Sequence, residues 1–370
     1  MRWFLILLAL WVPFPAWAVE TAAKHAYMID ATTGAVLLNK EGEVQMAPSS
    51  MSKLMTLNII FNRLKEGRLK LEDTLTVSEK AWRMQGSKMF VPIGEQVSVN
   101  DLLHGIIVQS GNDACIVMAE GLAGSEDEFV AEMNKSSEAL GLTQSHFSNV
   151  TGWPDDNHKM SARDLAILSK HIIETYPEYY PLFSVKEYTY NNITQYNRDR
   201  LLGNDIGVDG LKTGHTDAGG FGIALSAKQG ERRLIVVING LESDDARMKE
   251  GDMLLRWGFR EFENKTLVKS GTPVAEAKLW FGVSPAVALV AEKDVVVTLP
   301  TGGKQNMTYK LRYQSPVAAP VAKGQQVAEL VIEGEGLTQT VPLVAAADVA
   351  KASGLSKAIA IIKYYLHVGR

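Results

Sequence analysis

The sequence predicts an α/β fold in which an antiparallel sheet carries helices and a helical lobe, followed by a small all-β domain. Three observations support this prediction. Strand-like segments occur at both ends of the first 262 residues, helical periodicity fills the stretch between them, and the rest alternates short strands with Gly and Pro turns. With 370 residues, 46% of them hydrophobic, the chain is long enough for two or three compact units.

The first strands are predicted to form a hairpin. Ala26–Asp30 and Ala35–Leu38 flank Thr32–Gly34, where the glycine suits a tight turn. A helix then begins close to Ser50 and ends before Gly67, because leucine and phenylalanine recur there at spacings of three or four.

Residues 79–180 carry mainly helical patterns separated by polar loops, so they predict the helical lobe. The predicted helices are Asn100–Gln109, Asp113–Leu122, Glu126–Leu140 and Ser161–Tyr176.

Strand signals return after the lobe, and a last helix, Asp244–Phe262, closes the first unit. The returning strands are Val208–Thr213, Phe221–Ala227 and Arg232–Asn239, the last two joined as a hairpin. The strands that predict a separate small β-sandwich over residues 263–350 are Val295–Leu299, Met307–Tyr313, Gln326–Ile332 and Leu337–Leu343.

Residues 1–18 have the pattern of a secretory signal peptide. Arg2 precedes an apolar run from Trp3 to Val12, and Ala16–Ala18 offers small residues for cleavage, so the mature chain would begin near Val19. A membrane anchor is the alternative, but a span needs about 20 apolar residues and two prolines interrupt this run. An exported, periplasmic protein is therefore expected.

Residues 351–370 predict an amphipathic helix that lies on the outer face of the inner membrane, with its cations near anionic headgroups. A terminal helix docked on its own protein is the alternative. The apolar face comprises Leu355, Ile359, Ile362 and Leu366, and the basic face comprises Lys357, Lys363, His367 and Arg370.

Charge and composition exclude several classes of function. A net charge of -4, from 38 basic and 42 acidic residues, provides no basic stripe for nucleic acid. Cys115 is the only cysteine, so no intrachain disulfide can form, and its apolar surroundings predict a buried structural thiol. The seven histidines form no close ligand pair, so neither a metal nor another cofactor is expected.

A Ser-x-x-Lys element, Ser50 to Lys53, provides a candidate nucleophile. On a helix this spacing puts the hydroxyl and the amine on the same face, where they can share a proton. A position in the first turn also places the backbone N–H of Ser50 among the unpaired donors at the helix start, which favour a developing oxyanion.

A Ser-x-Asn element occurs twice, and context distinguishes the copies. Ser98 and Asn100 precede an apolar helical run, as an ordinary N-cap region does. Ser110 and Asn112 instead interrupt two apolar helices at a tight loop, which can direct a hydroxyl and an amide into a cleft. We therefore favour Ser110 and Asn112 as site residues; a plain helix-linking turn is the alternative.

Lys212-Thr213-Gly214 closes a strand-like run. Lys212 and Gly214 would share one side of the strand and Thr213 the other, and the glycine would let a substrate approach closely. Taken alone, this tripeptide is more typical of an ordinary strand end.

Together and in this order, the three elements are far more specific than any one of them. The chain resembles the low-molecular-mass penicillin-binding proteins that act as serine-type D-Ala-D-Ala carboxypeptidases, with an appended β-domain and a C-terminal anchor. The resemblance implies a β-lactamase/transpeptidase-like catalytic domain over residues 19–262. The segments that carry it are Gly86–Phe90, Gln109–Ala114, Ser161–Asp164 and Gly210–Thr216, besides Ser50 to Lys53.

The resemblance also implies a reaction. Ser50 would attack the carbonyl between the two terminal D-alanines of a peptidoglycan stem peptide, D-alanine would leave, and water would hydrolyse the acyl-enzyme. β-Lactam antibiotics would acylate the same serine. Lys53 would be the base, with its pKa lowered by burial and by Lys212, while Ser110 could relay the proton and Asn112 would orient Lys53 and the substrate.

For substrate binding, the resemblance implies that Lys212, Thr213 and Arg198 hold the terminal carboxylate. The chain is one residue shorter than its relatives after Arg198, and Arg200 offers a second cation. Backbone N–H groups of Ser50 and His215 would form the oxyanion hole.

Other functions share some of these features. A β-lactamase has the same motifs, an endopeptidase would cut cross-links with the same site, and a catalytically silent wall-binding protein would keep the fold alone. Rapid hydrolysis of penicillin without D-alanine release would distinguish a β-lactamase from a carboxypeptidase. Replacement of Ser50 would distinguish an enzyme from a catalytically silent protein, because only the enzyme would lose activity.

Overall fold

The computed structural model describes residues 19–302, 307–334, 337–354 and 357–358. The chain divides into two compact units, one ending at Phe259 and the other beginning at Arg260. The predicted signal peptide lies outside the described residues, as does most of the helix predicted over residues 351–370. Within the described ranges, no helix has both the length and the apolar character required to cross a bilayer.

The first unit combines nine strands with seven helices and two short 3-10 turns in the part of the chain described. Its elements are β1 His25–Asp30, β2 Val36–Lys40, a 3-10 turn Ser49–Ser52, α1 Lys53–Lys65, β3 Thr74–Thr76, α2 Glu79–Arg83, β4 Gln96–Ser98, α3 Val99–Ile107, α4 Asn112–Ala123, α5 Glu126–Ala139, α6 Ala162–Thr175, a 3-10 turn Tyr180–Ser184, β5 Glu187–Tyr190, β6 Ile193–Tyr196, β7 Val208–Thr216, β8 Gly220–Gln229, β9 Arg232–Leu241 and α7 Asp244–Glu261.

A five-stranded antiparallel sheet forms the centre of this unit, in the order β2-β1-β9-β8-β7. The two predicted hairpins are confirmed, and their turns contain Gly34 and Gly230, both at positive φ. The central strand is buried from Leu234 to Asn239, because helices cover both faces of the sheet. Strand β7 lies at the edge, so one of its sides is not paired within the sheet.

Two helices pack on the sheet in different ways. Helix α6 contacts β1 and β9 through an apolar face. Helix α7 approaches closely through glycines: a Cβ at Gly251 would lie 2.5 Å from Leu225, and one at Gly258 would lie 2.8 Å from Leu234. Helix α7 is thereby held close to strands β8 and β9.

The predicted lobe is confirmed, with helix bounds within two residues of those expected. Serine side chains cap four of its helices: Ser98 accepts from Asp101 N at 3.0 Å, and Ser78, Ser125 and Ser161 do the same for α2, α5 and α6. Ser98 is thus an N-cap, as its context predicted. The hairpin of β5 and β6 was not predicted, although its Asn191-Asn192 turn, with both residues at positive φ, is a hairpin signal.

The second unit is built of strands around its own core. A six-stranded sheet has the order β14-β16-β17-β12-β11-β15, and β10 pairs with β13. The core includes Leu279, Leu289, Ile332 and Leu343, each at most 1% exposed. The elements are β10 Phe262–Val268, β11 Pro273–Trp280, β12 Ala286–Val290, β13 Val295–Pro300, β14 Thr308–Arg312, β15 Val317–Ala318, β16 Gln326–Gly334 and β17 Leu337–Ala345.

Candidate active site

The turn before α1 places a serine and a lysine in direct contact. Ser50 lies in the 3-10 turn, which runs directly into α1, and Lys53 is the first residue of α1. The Nζ atom of Lys53 donates to Ser50 Oγ at 2.8 Å and to the carbonyl oxygen of Thr151 at 2.5 Å. The lysine side chain is therefore held by two acceptors, one of which is the candidate nucleophile.

Lys53 has no exposed surface, and burial lowers its pKa to about 8, because an ammonium loses its hydration in the interior. The charge of Arg198 acts in the same direction. Burial also lowers the pKa of Lys212 well below its usual value, with Lys53 and Arg198 adding to the effect. The repulsion between the two buried lysines disfavours charging both at once, so it adds to the effect of burial on the pair.

The loop between α3 and α4 presents polar groups that the described structure leaves without partners. Ser110 is in the left-handed region, with φ at 65°, and is 1% exposed. Asn112 is 5% exposed, and its Nδ2 atom donates to the carbonyl oxygen of Gln85 at 2.8 Å. Ser110 Oγ and Asn112 Oδ1 accept no hydrogen bond from any described residue. A strained backbone and two unsatisfied buried oxygens are features that concentrate at ligand sites.

Strand β7 lies against the serine turn. Thr216 Oγ1 is 2.9 Å from Ser49 Oγ, which joins the end of the strand to the turn. A Cβ at Gly214 would lie 2.9 Å from the carbonyl oxygen of Pro48 and 3.1 Å from Ser49 Cβ, so only glycine permits this approach. Lys212 and Thr213 precede it, both at most 5% exposed.

A cleft of about 440 Å³ opens over this arrangement. Five of the residues predicted from sequence line it: Ser50, Arg198, Thr213, Gly214 and His215. The imidazole of His215 stacks on Phe221, with ring centroids 3.9 Å apart. The other four, Lys53, Ser110, Asn112 and Lys212, are buried beneath the surface rather than lining the cleft.

The two arginines that follow β6 differ in their partners. Arg200 forms ion pairs with Asp244 at 2.9 Å and Asp245 at 2.6 Å. Arg198 lines the same cleft and has no ion pair or hydrogen bond with any described residue. Its guanidinium is therefore free to bind an anion in the cleft, whereas that of Arg200 is already engaged.

Several residues that shape the site were not predicted. Asn149 Oδ1 accepts from the backbone N–H groups of Thr151 and Gly152 at 3.1 and 2.8 Å, which fixes the carbonyl that holds Lys53. Asp113, fully buried, accepts from backbone N–H groups of Met89 and Phe90 and so anchors the loop beside Ser87. The sequence signal for Asp113 is its position directly after the Ser-x-Asn element, in Ser110-Gly111-Asn112-Asp113.

Arg247 is a further residue that sequence reasoning missed. Its Nη1 atom donates to the carbonyl oxygens of Gly214 and Gly222 at 3.1 and 3.2 Å, so it joins β7 to β8 at the wall of the cleft. The side chain is 5% exposed. Among the described residues, no group of three or more His, Cys, Asp or Glu side chains could hold a metal ion.

Two family models match the chain. Residues 13–243 match peptidase S11, described as D-alanyl-D-alanine carboxypeptidase, and residues 262–351 match the penicillin-binding protein 5 C-terminal domain. The first match covers more than half of the chain.

Curated relatives and solved structures agree with these matches. The D-alanyl-D-alanine carboxypeptidase DacA of Escherichia coli K12 is 38% identical over 355 residues, 93% of this chain and 88% of that protein. DacF of Bacillus subtilis is 35% identical over 342 residues, covering 89% and 86%. Penicillin-binding protein 5 of Haemophilus influenzae superposes with a TM-score of 0.84 at 35% identity, covering 90% of this chain and 99% of that one.

These matches extend over both units, and Ser50, hydrogen-bonded to Lys53, lines one cleft with Thr213 and Gly214 of the third motif. The chain belongs to the serine D-alanyl-D-alanine carboxypeptidases of the penicillin-binding protein type.

Proposed function

We propose that the chain releases the terminal D-alanine of peptidoglycan stem peptides through an acyl-enzyme on Ser50. The observation that carries the proposal is the 2.8 Å hydrogen bond between Ser50 Oγ and the buried Lys53 Nζ. A lysine with its pKa near 8 is partly neutral at physiological pH, and a neutral amine can accept the serine proton.

In the proposed acylation step, Ser50 Oγ bonds to the carbonyl carbon of the penultimate D-alanine while its proton passes to Lys53 Nζ. Collapse of the tetrahedral intermediate breaks the peptide bond, and the leaving amine takes a proton from Lys53, directly or through Ser110 Oγ. Water, with its proton taken by the same base, then hydrolyses the ester and restores the serine. Asn112 Oδ1, which lacks a described partner, is available to accept from the substrate amide or from Lys53.

The cleft supports a specific orientation of the substrate. The substrate backbone would lie along the unpaired edge of β7, as peptides do in β-augmentation. Its terminal carboxylate would be held by Arg198 and Thr213, beside Lys212 of the same strand. The backbone N–H groups of Ser50 and His215 would stabilise the oxyanion.

Mass spectrometry of the intact protein after incubation with benzylpenicillin tests the nucleophile. We expect one adduct on Ser50, and loss of both the adduct and D-alanine release in Ser50→Ala. Ser52→Ala is the matched control, because Ser52 Oγ donates only to the carbonyl oxygen of Ser49 within the same turn. An adduct elsewhere would contradict the proposal, and rapid penicillin hydrolysis without D-alanine release would indicate a β-lactamase.

We also propose that the protein acts in the periplasm, attached to the membrane surface by residues 351–370. The support is the sequence pattern of apolar and basic faces in that segment and the signal-like pattern of residues 1–18. A chain ending at Ala350 should remain active and lose its binding to vesicles of anionic phospholipid. Unchanged vesicle binding by the truncated chain would contradict attachment by this segment.

A further inference from the structure

The cleft contains one carboxylate of its own. Asp244, the first residue of α7, has a side chain that is 42% exposed and lines the cleft together with Ser50 and Thr213. It is the only acidic residue among the described residues that line the cleft. The protein therefore places a carboxylate of its own in the cleft that the terminal carboxylate of the proposed substrate would enter.

Arginines surround this carboxylate. Asp244 Oδ2 forms an ion pair with Arg200 Nη2 at 2.9 Å, and Oδ1 accepts from Arg247 Nη2. The charge of Asp244 also acts on Arg198, the arginine without an ion pair. Asp244 thus partly neutralises the positive field that a substrate carboxylate would enter.

The arginines do not depend on Asp244 for their positions. Arg247 keeps the carbonyl oxygens of Gly214 and Gly222, and Arg200 keeps Asp245 at 2.6 Å. Helix α7 does not depend on it either, because Ser243 Oγ accepts from Ala246 N at 3.1 Å at the helix start. Removal of Asp244 would therefore change mainly the charge in the cleft.

We propose that Asp244 is a specificity-determining residue that opposes the binding of the substrate's terminal carboxylate. It thereby reduces the preference of the cleft for peptides that end in a free carboxylate over peptides whose end is uncharged. The inference rests on the proposed function, in which that carboxylate enters beside Arg198. Because the like charges repel in the bound state, Asp244 raises KM for peptides that end in a free acid. It does not touch the reacting atoms, so it leaves the chemical step nearly unchanged.

The test compares two substrates, an acyl-L-Lys-D-Ala-D-Ala tripeptide and the same peptide ending in D-alaninamide. In Asp244→Asn, KM for the acid should fall roughly tenfold at low salt, with kcat within about twofold, the scale of one unit charge removed at a half-exposed site. The gain should shrink as salt is added. The amide carries no charge at that end, so its kcat/KM should stay unchanged.

Asp245→Asn is the matched control. Asp245 also pairs with Arg200 but is 89% exposed and does not line the cleft, so its removal should leave both substrates unaffected. Asp244→Ser repeats the test if the Asn variant folds poorly, and Asp244→Glu should behave as the wild type. An unchanged or higher KM for the acid in Asp244→Asn, or an equal gain for the amide, would overturn the proposal.

A second readout separates this inference from the proposed function. Acylation of Ser50 by benzylpenicillin, which carries a carboxylate, is compared with acylation by its methyl ester. The ratio of the two rate constants should rise roughly tenfold in Asp244→Asn, and an unchanged ratio would refute the role of Asp244. If the wild type released no D-alanine, the proposed function would fail, and this ratio would still decide the role of Asp244.

Discussion

The buried lysine beside Ser50 leads to a quantitative prediction about pH. Lys53 has a pKa of about 8 instead of 10.5, so its neutral fraction near pH 7 is roughly 300 times that of an exposed lysine. If the neutral amine is the base, the acylation rate constant should rise about tenfold per pH unit below pH 7.5. It should level off above about pH 8.5.

Replacement of Lys53 by methionine tests the same argument by a different route. The apolar side chain has a similar length but cannot accept a proton, so acylation should slow by roughly 10²–10⁴-fold and lose its pH dependence. Stability should change little, because two effects oppose each other. Below pH 8 the depressed pKa costs the folded state about 3 kcal/mol, whereas the variant leaves the Thr151 carbonyl unpaired at a cost of about 1–3 kcal/mol.

Stopped-flow acylation by a fluorescent penicillin between pH 6 and 10 provides the rate constants, and urea unfolding provides the stabilities. A rate constant that is flat across this range, or that still rises about tenfold per unit between pH 9 and 10, would refute a Lys53 base with a lowered pKa. So would a Lys53→Met variant that retains the wild-type rate at neutral pH. Substantial unfolding of Lys53→Met would instead refute the balance of energies given above.

Two further predictions follow from packing and burial. Gly214→Ala places a Cβ 2.9 Å from the Pro48 carbonyl oxygen, so β7 must move away from the serine turn. We expect the free energy of unfolding to fall by about 1–3 kcal/mol and the acylation rate constant to fall 10- to 100-fold. Gly67→Ala is the control, because its Cβ would contact nothing: it should lower the free energy of unfolding by about 1 kcal/mol through the positive φ and leave the acylation rate constant unchanged. Equal acylation rate constants in the two variants would contradict the argument. Burial lowers the pKa of His158 to about 4, so the folded state binds fewer protons than the unfolded state between pH 6.5 and 4. Stability is therefore full above pH 6.5 and declines by up to about 3 kcal/mol as pH falls to 4; urea unfolding of His158→Asn should show a smaller decline, and an identical decline would exclude this histidine as the cause.

Local patterns predicted most of the first unit. The hairpin at Gly34, the helices of the lobe and the strands β7 to β9 all have continuous periodicity or glycine turns that lie within one stretch of sequence. The short strands β3 to β6 have three or four residues each, too few for alternation to be recognised. Strand β12, Ala-Val-Ala-Leu-Val, is apolar at every position and lacks the period of two that reveals a half-buried strand.

In the candidate site, too, contacts between residues near in sequence could be predicted, whereas contacts between distant segments could not. Ser50 and Lys53 are three residues apart, so their contact follows from helical geometry alone. The carbonyl oxygen of Thr151, by contrast, is a backbone atom 98 residues from Lys53, and no residue type is required to supply it. Arg247 likewise acts through carbonyl groups of strands that only the fold brings beside it. The charge balance around Asp244 depends on such long-range placement and was not predicted.

The open side of β7 also bears on how copies of this protein behave towards one another. An unpaired strand edge exposes a row of amide donors and carbonyl acceptors, which in most proteins invites sheet-to-sheet aggregation. Here most of β7 is buried, and Arg198, which has no ion pair with any described residue, lines the adjoining cleft. When two such edges meet, the uncompensated charges of the two Arg198 side chains repel each other. The charge that would attract the carboxylate of a bound peptide therefore also opposes association of β7 with its counterpart in a second molecule.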